Sequence, residues 1–380
     1  MLNETYRGML AHKSVIRETF MYGKQRAAQI GYENVFDYSL GNPSVPCPEQ
    51  FTAAMQELLA QEDPVALHGY CPSQGDPEFR TAVAAHLNRT FGLPYAQKDI
   101  FPTTGAAGAI AHALRAVTRP GDEVLTFAPY FPEYGPYVEG TGAHLRVVPP
   151  QAPAFQPNLE AFEQMLTEKV TCVLINTPNN PTGRLVDGAL LRAAAEQCRA
   201  VGAVLAVDEC FLPLSDGAGP GLAPCLAEHP NLLLLRAFTK SYAMAGLRLG
   251  YALSANGGLL ERMAAAGPPW SVSTPAQAAG LAALEQCSDW PEKARALLAS
   301  ERPALSDGLT ALGLEVVPGQ ANYLLFRAAG AADLKERMLM RGVLIRSCAN
   351  YHGLGNDWYR VCVGQAEQNR RLLAALKEVL

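Results

Sequence analysis

The sequence predicts an α/β protein in which a large domain with a mainly parallel sheet is joined to a smaller α+β domain. In the middle of the chain, short apolar runs typical of strands alternate with amphipathic stretches typical of helices. From about Ser271 onward, a long helical stretch is followed by short strands and further helices, an order typical of α+β domains. We therefore expect residues 41–270 to form the large domain and residues 271–380 the small one. Residues 1–40 would form an N-terminal arm that packs with the small domain or reaches a partner subunit.

Apolar strands that are separated by helices form βαβ units, and they predict a sheet that is buried on both faces. The strands predicted in the large domain are Glu123–Phe127, His144–Val148, Thr171–Asn176, Ala203–Val207, Asn231–Arg236 and Leu249–Leu253, with helices at Ala106–Val117 and Gly188–Val201. In the small domain the pattern predicts a helix at Pro291–Leu312, strands at Glu315–Val317, Tyr323–Phe326, Val343–Arg346 and Tyr359–Val363, and a last helix that begins near Glu367.

The composition is that of a soluble globular protein, since 49% of the 380 residues are hydrophobic and 18% are charged. A net charge of −5 disfavours nucleic acid or a membrane surface as a partner. We find neither an apolar run long enough to span a bilayer nor a signal peptide, so we expect a cytoplasmic protein. The nine cysteines form no C-x-x-C pair and no metal-ligand spacing, which indicates free thiols and no metal site.

Polar residues follow three successive predicted strands, at the point where each strand ends. Asn180 lies in the segment Asn176–Gly183 after one strand, Asp208 follows the next, and Lys240 follows the third. Ligands of open α/β sheets bind beyond the carboxyl ends of the strands. We therefore expect an amide, a carboxylate and an amine at one rim of the sheet.

This set of side chains suits pyridoxal 5′-phosphate (PLP). Asp208 would keep the pyridine nitrogen protonated, so that the ring acts as an electron sink. Lys240 would hold the aldehyde as a Schiff base and would afterwards move a proton, because a desolvated lysine with cations beside it has a lowered pKa. Asn180 would donate a hydrogen bond to the phenolate oxygen. Both Lys240 and Asp208 are therefore predicted catalytic residues.

The phosphate and the ring of PLP need further partners. Gly105, Ala106 and Ala107 lie where a helix begins, so their backbone N–H groups can approach an anion, and Arg248 would add a charge-assisted contact. Phe131, or else Tyr130, would stack on the pyridine ring. Each of these features alone is more often a helix cap, a turn, helix packing or a surface residue. Their combination, in order and at predicted strand ends, makes the site specific.

With these residues in place, the chain resembles the fold-type I PLP-dependent transferases of aminotransferase class I/II over nearly its whole length. The stretch from Phe238 to Tyr251 resembles the cofactor-lysine signature of that family, and Asn180–Gly183 and Asp208-Glu209 match its ring-binding segments. The resemblance implies an amino acid and a 2-oxo acid as small-molecule substrates. It also implies that Thr239 is a cofactor-binding residue.

The resemblance assigns roles to further residues. Gly41-Asn42-Pro43 is similar to the segment that touches the substrate carboxylate, and Arg360 fits the arginine that clamps this carboxylate with two hydrogen bonds. Tyr70 resembles the tyrosine that reaches the cofactor phosphate of a neighbouring subunit, which implies a homodimer.

Within the family, different segments resemble different members. Val207–Leu212, Pro269–Val272 and Val343–Arg346 are similar to histidinol-phosphate aminotransferase and threonine-phosphate decarboxylase, whereas Ser39–Pro43 is more similar to aspartate-type aminotransferases. In the first two relatives an arginine at the position of Arg346 helps to recognise the substrate. A surface or domain-packing residue is the alternative interpretation of Arg346.

Two residues depart from the family pattern. Phe211 replaces a tyrosine that donates to the cofactor phenolate, which should raise the pKa of the imine. Ala237 replaces a serine or threonine, so that one phosphate contact is missing and Thr239 is the remaining hydroxyl.

The predicted reaction is transamination through a Lys240 Schiff base, with the substrate held by Arg360 and Asn42. The nearest alternative is α-decarboxylation of an amino-acid phosphate, which uses the same cofactor site. A PLP-sensing regulatory domain is disfavoured, because only about 40 residues precede Gly41 and the net charge is negative. A scaffold without catalysis is disfavoured by the joint presence of the lysine, the aspartate, the asparagine and the arginines.

Overall fold

A computed structural model describes residues 15–41, 45–61, 63–151 and 155–380. Its strands are β1 (Phe36–Asp37), β2 (Ile100–Thr103), β3 (Glu123–Phe127), β4 (His144–Val148), β5 (Val170–Asn176), β6 (Val204–Asp208), β7 (Leu232–Ala237), β8 (Gly250–Leu253), β9 (Glu315–Val317), β10 (Tyr323–Arg327), β11 (Val343–Leu344), β12 (Arg346–Ser347) and β13 (Trp358–Cys362). Its helices are α1 (Val15–Ile30), α2 (Glu49–Gln61), α3 (Pro64–His68), α4 (Pro77–Phe91), α5 (Gly105–Val117), α6 (Tyr134–Glu139), α7 (Leu159–Met165), α8 (Gly188–Ala200), α9 (Phe238–Ser241), α10 (Gly257–Ala266), α11 (Thr274–Gln286), α12 (Trp290–Ala311), α13 (Leu334–Met340) and α14 (Ala366–Val379).

The large sheet has seven strands in the order β2-β8-β7-β6-β5-β3-β4. The pairs from β7 to β4 are parallel, whereas β8 runs antiparallel to both of its neighbours. Alternate residues of β7 pack in two different cores: Leu232 and Leu234 in one, Leu233 and Leu235 in the other. Because successive side chains of a strand point to opposite faces, the sheet is buried on both sides. The predicted α/β class with a mainly parallel sheet is confirmed.

The C-terminal part contains a four-stranded antiparallel sheet in the order β12-β13-β10-β9. Leu305 of α12, Phe326 of β10 and Leu372 of α14 share its core, and Tyr38 from the N-terminal part joins them. The predicted α+β character of this part is confirmed. The domain limits at residues 40 and 270 stay a prediction.

Two strand predictions need correction. The single strand predicted at Val343–Arg346 is two strands, because β11 pairs with β1 while β12 pairs with β13. The chain changes sheets at Ile345, a buried residue that continues the apolar run and so hides the break.

Strand β2 was not predicted because Pro102 interrupts its pattern. It lies at the edge of the seven-stranded sheet, where a strand tolerates a proline because one side needs no N–H donor.

In the part of the chain that the structure describes, no helix is both long enough and apolar enough to cross a membrane.

Candidate active site

A cavity of about 240 Å³ lies at the carboxyl ends of β5, β6 and β7 and at the start of α5. This is where the strand order predicts a ligand site. The cavity brings together most of the residues that the sequence singled out: Ala106, Ala107, Phe131, Asn180, Asp208, Phe211, Thr239, Lys240, Arg248 and Arg360.

Lys240 lies in the short helix α9, directly after the buried strand β7. Its Nζ donates a hydrogen bond to the carbonyl oxygen of Gly41 and lies 5.5 Å from the centre of the Phe211 ring. Desolvation by burial lowers the pKa of Lys240 to about 8, although the Cys362 thiol acts in the opposite direction, and Arg360 and Arg248 add to the lowering. A lysine with this pKa is a usable nucleophile near neutral pH.

Asp208 is the last residue of β6 and faces the same cavity. Its Oδ1 accepts a hydrogen bond from the Cys210 backbone N–H at 3.0 Å, and its Oδ2 accepts one from the Tyr134 hydroxyl at 3.3 Å. Burial raises the pKa of Asp208, while the hydrogen bonds from Cys210 and Tyr134 oppose that change. A buried carboxylate of this kind is stabilised by a cationic group placed beside it, such as a protonated pyridine nitrogen.

The start of α5 and Arg248 form an anion-binding corner. Gly105 has a φ of +73°, and a Cβ on it would lie 3.1 Å from Arg248 Nη2, so glycine permits the guanidinium to lie against the backbone. The Thr104 side chain makes no capping hydrogen bond among the described residues, which leaves the first N–H groups of the helix to a ligand. Ala106 and Ala107 line the cavity at this corner.

Arg360 on β13 connects the small sheet to the cavity. Its Nη1 donates to Asn180 Oδ1 at 2.6 Å, and its Nη2 donates to the Ser39 carbonyl at 3.1 Å. The Arg360 Nε is buried and has no hydrogen-bond partner within residues 15–41, 45–61, 63–151 and 155–380. Asn180 Oδ1 also accepts from the Tyr351 hydroxyl at 3.3 Å, so the Asn180 amide nitrogen is the group left to donate to a ligand.

Arg346 lies opposite Arg360 in the pairing of β12 with β13. It is only 3% exposed, so it is not a surface residue. Its guanidinium lies 5.7 Å from the centre of the Tyr351 ring, and its Nε and Nη1 have no hydrogen-bond partner among the described residues. Arg346 is not among the residues that line the cavity, but its two neighbours Tyr351 and Arg360 are.

Other predicted residues lie elsewhere. Tyr70 is 86% exposed and packs against the Trp270 ring at 4.8 Å between centroids, outside the cavity. Asn42 lies outside the described residues. Tyr130, the second choice for ring stacking, contacts Tyr134 and is not in the cavity wall, whereas Phe131 is.

Gly41, from the segment predicted to touch the substrate carboxylate, lines the cavity. Several other cavity residues were missed from the sequence: Ser39, Leu40, Ile110, Tyr137, Asn176, Cys210 and Tyr351. Asn176 and Cys210 adjoin predicted site residues at strand ends, and that position was the available signal. Tyr351 had none, because it reaches the cavity only through the arrangement of the small sheet. Ala237, which departs from the family pattern, lines a different cavity.

These residues fit PLP. An amine of lowered pKa, a buried carboxylate, an anion-binding helix start and the Phe131 ring face one cavity. They match the aldehyde, the pyridine nitrogen, the phosphate and the ring of the cofactor, in that order.

Comparisons with known proteins agree with this fit. The sequence profile of the family described as aminotransferase class I and II matches residues 33–376. A threonine-phosphate decarboxylase from Salmonella typhimurium is 39% identical over 258 residues, which is 67% of this chain and 70% of that protein. A histidinol-phosphate aminotransferase from Methanopyrus kandleri is 30% identical over 360 residues, covering 89% of this chain and 86% of the relative.

Solved structures show the same relationship. An aminotransferase from Eubacterium rectale superposes with a TM-score of 0.86 at 29% identity, over 100% of this chain and 98% of the other. The aspartate aminotransferase of Thermus thermophilus with maleate gives 0.84 at 27% identity, over 100% of both chains. The predicted fold-type I architecture and the predicted cofactor are confirmed. The chain belongs to the aminotransferase class I and II family of PLP-dependent enzymes.

Proposed function

We propose that this protein is an aminotransferase that moves an amino group between an L-amino acid and a 2-oxo acid. The observation that carries the proposal is the meeting of Lys240, Asp208 and Arg360 in one cavity. A base of lowered pKa, a carboxylate and a guanidinium there suit the α-proton, the cofactor nitrogen and the carboxylate of an amino acid.

Arg360 would orient the substrate. Its guanidinium is fixed by Asn180 and Ser39 and stacks over the Tyr323 ring at 4.6 Å, so it is preorganised to bind a carboxylate. Asn42, outside the described residues, is proposed to support the same carboxylate. Lys240 Nζ would take the proton from the substrate Cα, because its lowered pKa gives it a larger fraction of free amine near neutral pH than an ordinary lysine has.

The cofactor would be held by residues at the rim of the sheet. Asp208 would pair with the ring nitrogen, Asn180 would donate to the phenolate oxygen, and Phe131 would cover the ring. The backbone of Gly105, Ala106 and Ala107, the Thr239 hydroxyl and Arg248 would bind the phosphate. When bound, PLP supplies an electron sink for the electrons released at the substrate Cα.

The second candidate function is α-decarboxylation of an amino-acid phosphate. It is supported by the 39% identity to the threonine-phosphate decarboxylase and by Arg346, a second buried guanidinium beside Arg360 with two unsatisfied nitrogens. Two adjacent guanidinium groups suit a substrate with two anionic groups, one of which can be a phosphate.

An absorption spectrum of the PLP-loaded protein, recorded with amino acids added one at a time, distinguishes these functions. We expect the visible band to shift while 2-oxo acid is released, and the donor that causes the shift to be the substrate. A band that persists while carbon dioxide appears would establish the decarboxylase instead.

Lys240→Ala should abolish turnover, whereas Lys169→Ala, at an exposed site, should not. Normal activity of Lys240→Ala would overturn both functions.

We further propose a cytoplasmic homodimer with domains at residues 41–270 and 271–380. The exposed Tyr70 would reach the cofactor phosphate of the partner subunit, and its exposure of 86% in the single chain supports this role. Light scattering should give twice the mass of one chain at micromolar concentration. A strict monomer would overturn the dimer and the role of Tyr70.

A further inference from the structure

A second cavity, of about 260 Å³, lies beside the short helix α9. Ala237, Phe238, Ser241 and Tyr242 line it, whereas Thr239 and Lys240 line the active-site cavity. The second cavity is closed by the end of α4, by the loop after β6 and by the start of α12. One turn of helix therefore separates it from the catalytic lysine, and no function described above uses it.

Two polar atoms of this wall are buried and have no hydrogen-bond partner among the described residues. Tyr242 is only 3% exposed, and its hydroxyl has no hydrogen-bond partner in the described part of the chain. His86 Nδ1 is likewise a buried atom that has no hydrogen-bond partner among the described residues. The Tyr242 ring is fixed between Phe238, at 5.4 Å between centroids, and Trp290, at 6.2 Å. Because buried polar groups are nearly always hydrogen-bonded in folded proteins, two such groups at one cavity suit a ligand that can pair with both of them.

The charges around the cavity favour an anion. Arg89 and Arg295 line it, with Glu292 as an opposing acid, while the charge of Arg236 is neutralised by Glu209 at 2.7 Å. Burial lowers the pKa of His86 to about 4, and Arg89 and Arg236 lower it further, so the imidazole is neutral near pH 7. Burial also raises the pKa of Tyr242, which keeps its hydroxyl protonated as a donor.

Much of the remaining wall is apolar, and it includes the rings of Phe91, Phe238 and Tyr251. Flat apolar surfaces of this kind accept a planar apolar group. We propose that this cavity is a second binding site, distinct from the substrate site, for a small organic carboxylate with an aromatic body. The carboxylate accepts hydrogen bonds from Tyr242 Oη and His86, and the body lies among the aromatic rings.

The probe for a test is 4-fluorophenylacetate, which has no amino group and therefore cannot serve as an amino donor. Its binding to the PLP-loaded protein is measured by fluorine NMR titration. We expect a saturable site that Tyr242→Phe weakens about tenfold, since this change removes one hydrogen bond to a charged group and keeps the ring. The visible cofactor band and the melting temperature of this variant report whether it is folded.

Arg360→Lys is the matched control, because the probe can also enter the substrate site through its carboxylate. We expect this variant to keep the site that Tyr242→Phe weakens. A second variant, Gly219→Phe, adds a ring at the cavity wall, where a Cβ meets no atom within 4 Å, and it should also weaken binding.

Three results would overturn the proposal. The first is an absence of saturable binding, and the second is a site that Arg360→Lys removes while Tyr242→Phe leaves it unchanged. The third is equal affinity for the neutral 4-fluorophenylacetamide, which would exclude recognition of the carboxylate.

Discussion

Arg360 Nη1 lies 2.6 Å from Asn180 Oδ1 and donates a hydrogen bond to it. Arg360 belongs to β13 of the four-stranded sheet, and Asn180 follows β5 of the seven-stranded sheet. The two residues are 180 positions apart in the chain. This bond therefore joins the proposed substrate-binding group to the proposed cofactor-binding group, and it makes the position of one depend on the other.

We expect Arg360→Lys to raise the KM for the amino-acid substrate by about 10- to 100-fold. Lysine keeps the charge but loses the planar pair of donors and the bond to Asn180, and a hydrogen bond to a charged group contributes about 1.5–3 kcal/mol. Steady-state kinetics with the donor identified by absorption would measure the change. The cofactor band should remain, and the exposed control Arg370→Lys should leave KM unaltered. An unchanged KM in Arg360→Lys would show that Arg360 does not bind the substrate.

The adjacent carboxylates Asp208 and Glu209 should have different roles. Glu209 is fully buried and pairs with the buried Arg236 at 2.7 Å, and its Oε1 accepts from the Leu222 N–H at 3.0 Å. Glu209→Gln leaves Arg236 buried without a counter-charge, which should lower the free energy of unfolding by about 3–5 kcal/mol. Urea denaturation measures this change. The control is Glu367→Gln, which breaks the exposed ion pair between Glu367 and Arg371 and should lower the free energy of unfolding by less than about 1 kcal/mol.

Asp208→Asn should instead lower kcat by about 100-fold or more, because the amide cannot hold the charge of a protonated ring nitrogen. The variant should still fold, since the amide oxygen can accept from the Cys210 N–H and the amide nitrogen can donate to the Tyr134 hydroxyl oxygen in place of the bond that the hydroxyl now donates. Kinetics and denaturation of both variants form one experiment. If Asp208→Asn lost stability and kept its kcat, the assigned roles would be reversed.

Lys240 should destabilise the cofactor-free protein at neutral pH. Its pKa is about 8 in the folded protein and 10.5 for an ordinary lysine, so the unfolded chain binds more protons between these two values. The penalty is fully present below pH 8 and disappears as the pH rises toward 10.5. Lys240→Met should therefore be more stable than the wild type at pH 7, by about 1–3 kcal/mol.

Urea denaturation of both cofactor-free proteins at pH 7 and pH 10 measures this effect. The difference in unfolding free energy should shrink at pH 10, and the exposed control Lys169→Met should show no such change. A difference that is independent of pH would contradict the lowered pKa of Lys240.

Phe211→Tyr should add the hydrogen-bond donor that the family resemblance predicts at this position. The Phe211 ring lies in the cavity wall, 5.5 Å from Lys240 Nζ, with Tyr323 packed edge-on at 5.1 Å. A phenol there can donate to the cofactor phenolate, so the pH at which the visible cofactor band titrates should fall by about one unit. Absorption spectra between pH 5 and pH 10 measure it, and Phe51→Tyr, outside the cavity wall, is the control. An unchanged midpoint would mean that the new hydroxyl does not reach the cofactor.

The local pattern of the sequence was sufficient for the parallel core of the large domain. β3, β4 and β9 begin and end at the predicted residues. Among the other predicted strands of the seven-stranded sheet, β5 and β8 differ by one residue at one end, and β6 and β7 are shifted by one residue at both ends. The buried strands of βαβ units appear in the sequence as continuous apolar runs. Because the carboxyl ends of parallel strands meet at one edge of the sheet, the polar residues that follow them lie close together. Asp208 and Lys240 could therefore be placed together from the sequence.

Only the tertiary structure decided the direction of β8, the separation of β11 from β12, and the contribution of Tyr351 to the cavity. Strand direction and pairing depend on partners that are distant in the chain, and periodicity contains no information about them. The burial of Arg346 and of the Tyr242 hydroxyl was also decided only by the tertiary structure, because it too depends on partners that are distant in the chain. A polar side chain looks alike in sequence whether water or a closed cavity surrounds it, and the difference arises when separate elements pack around it.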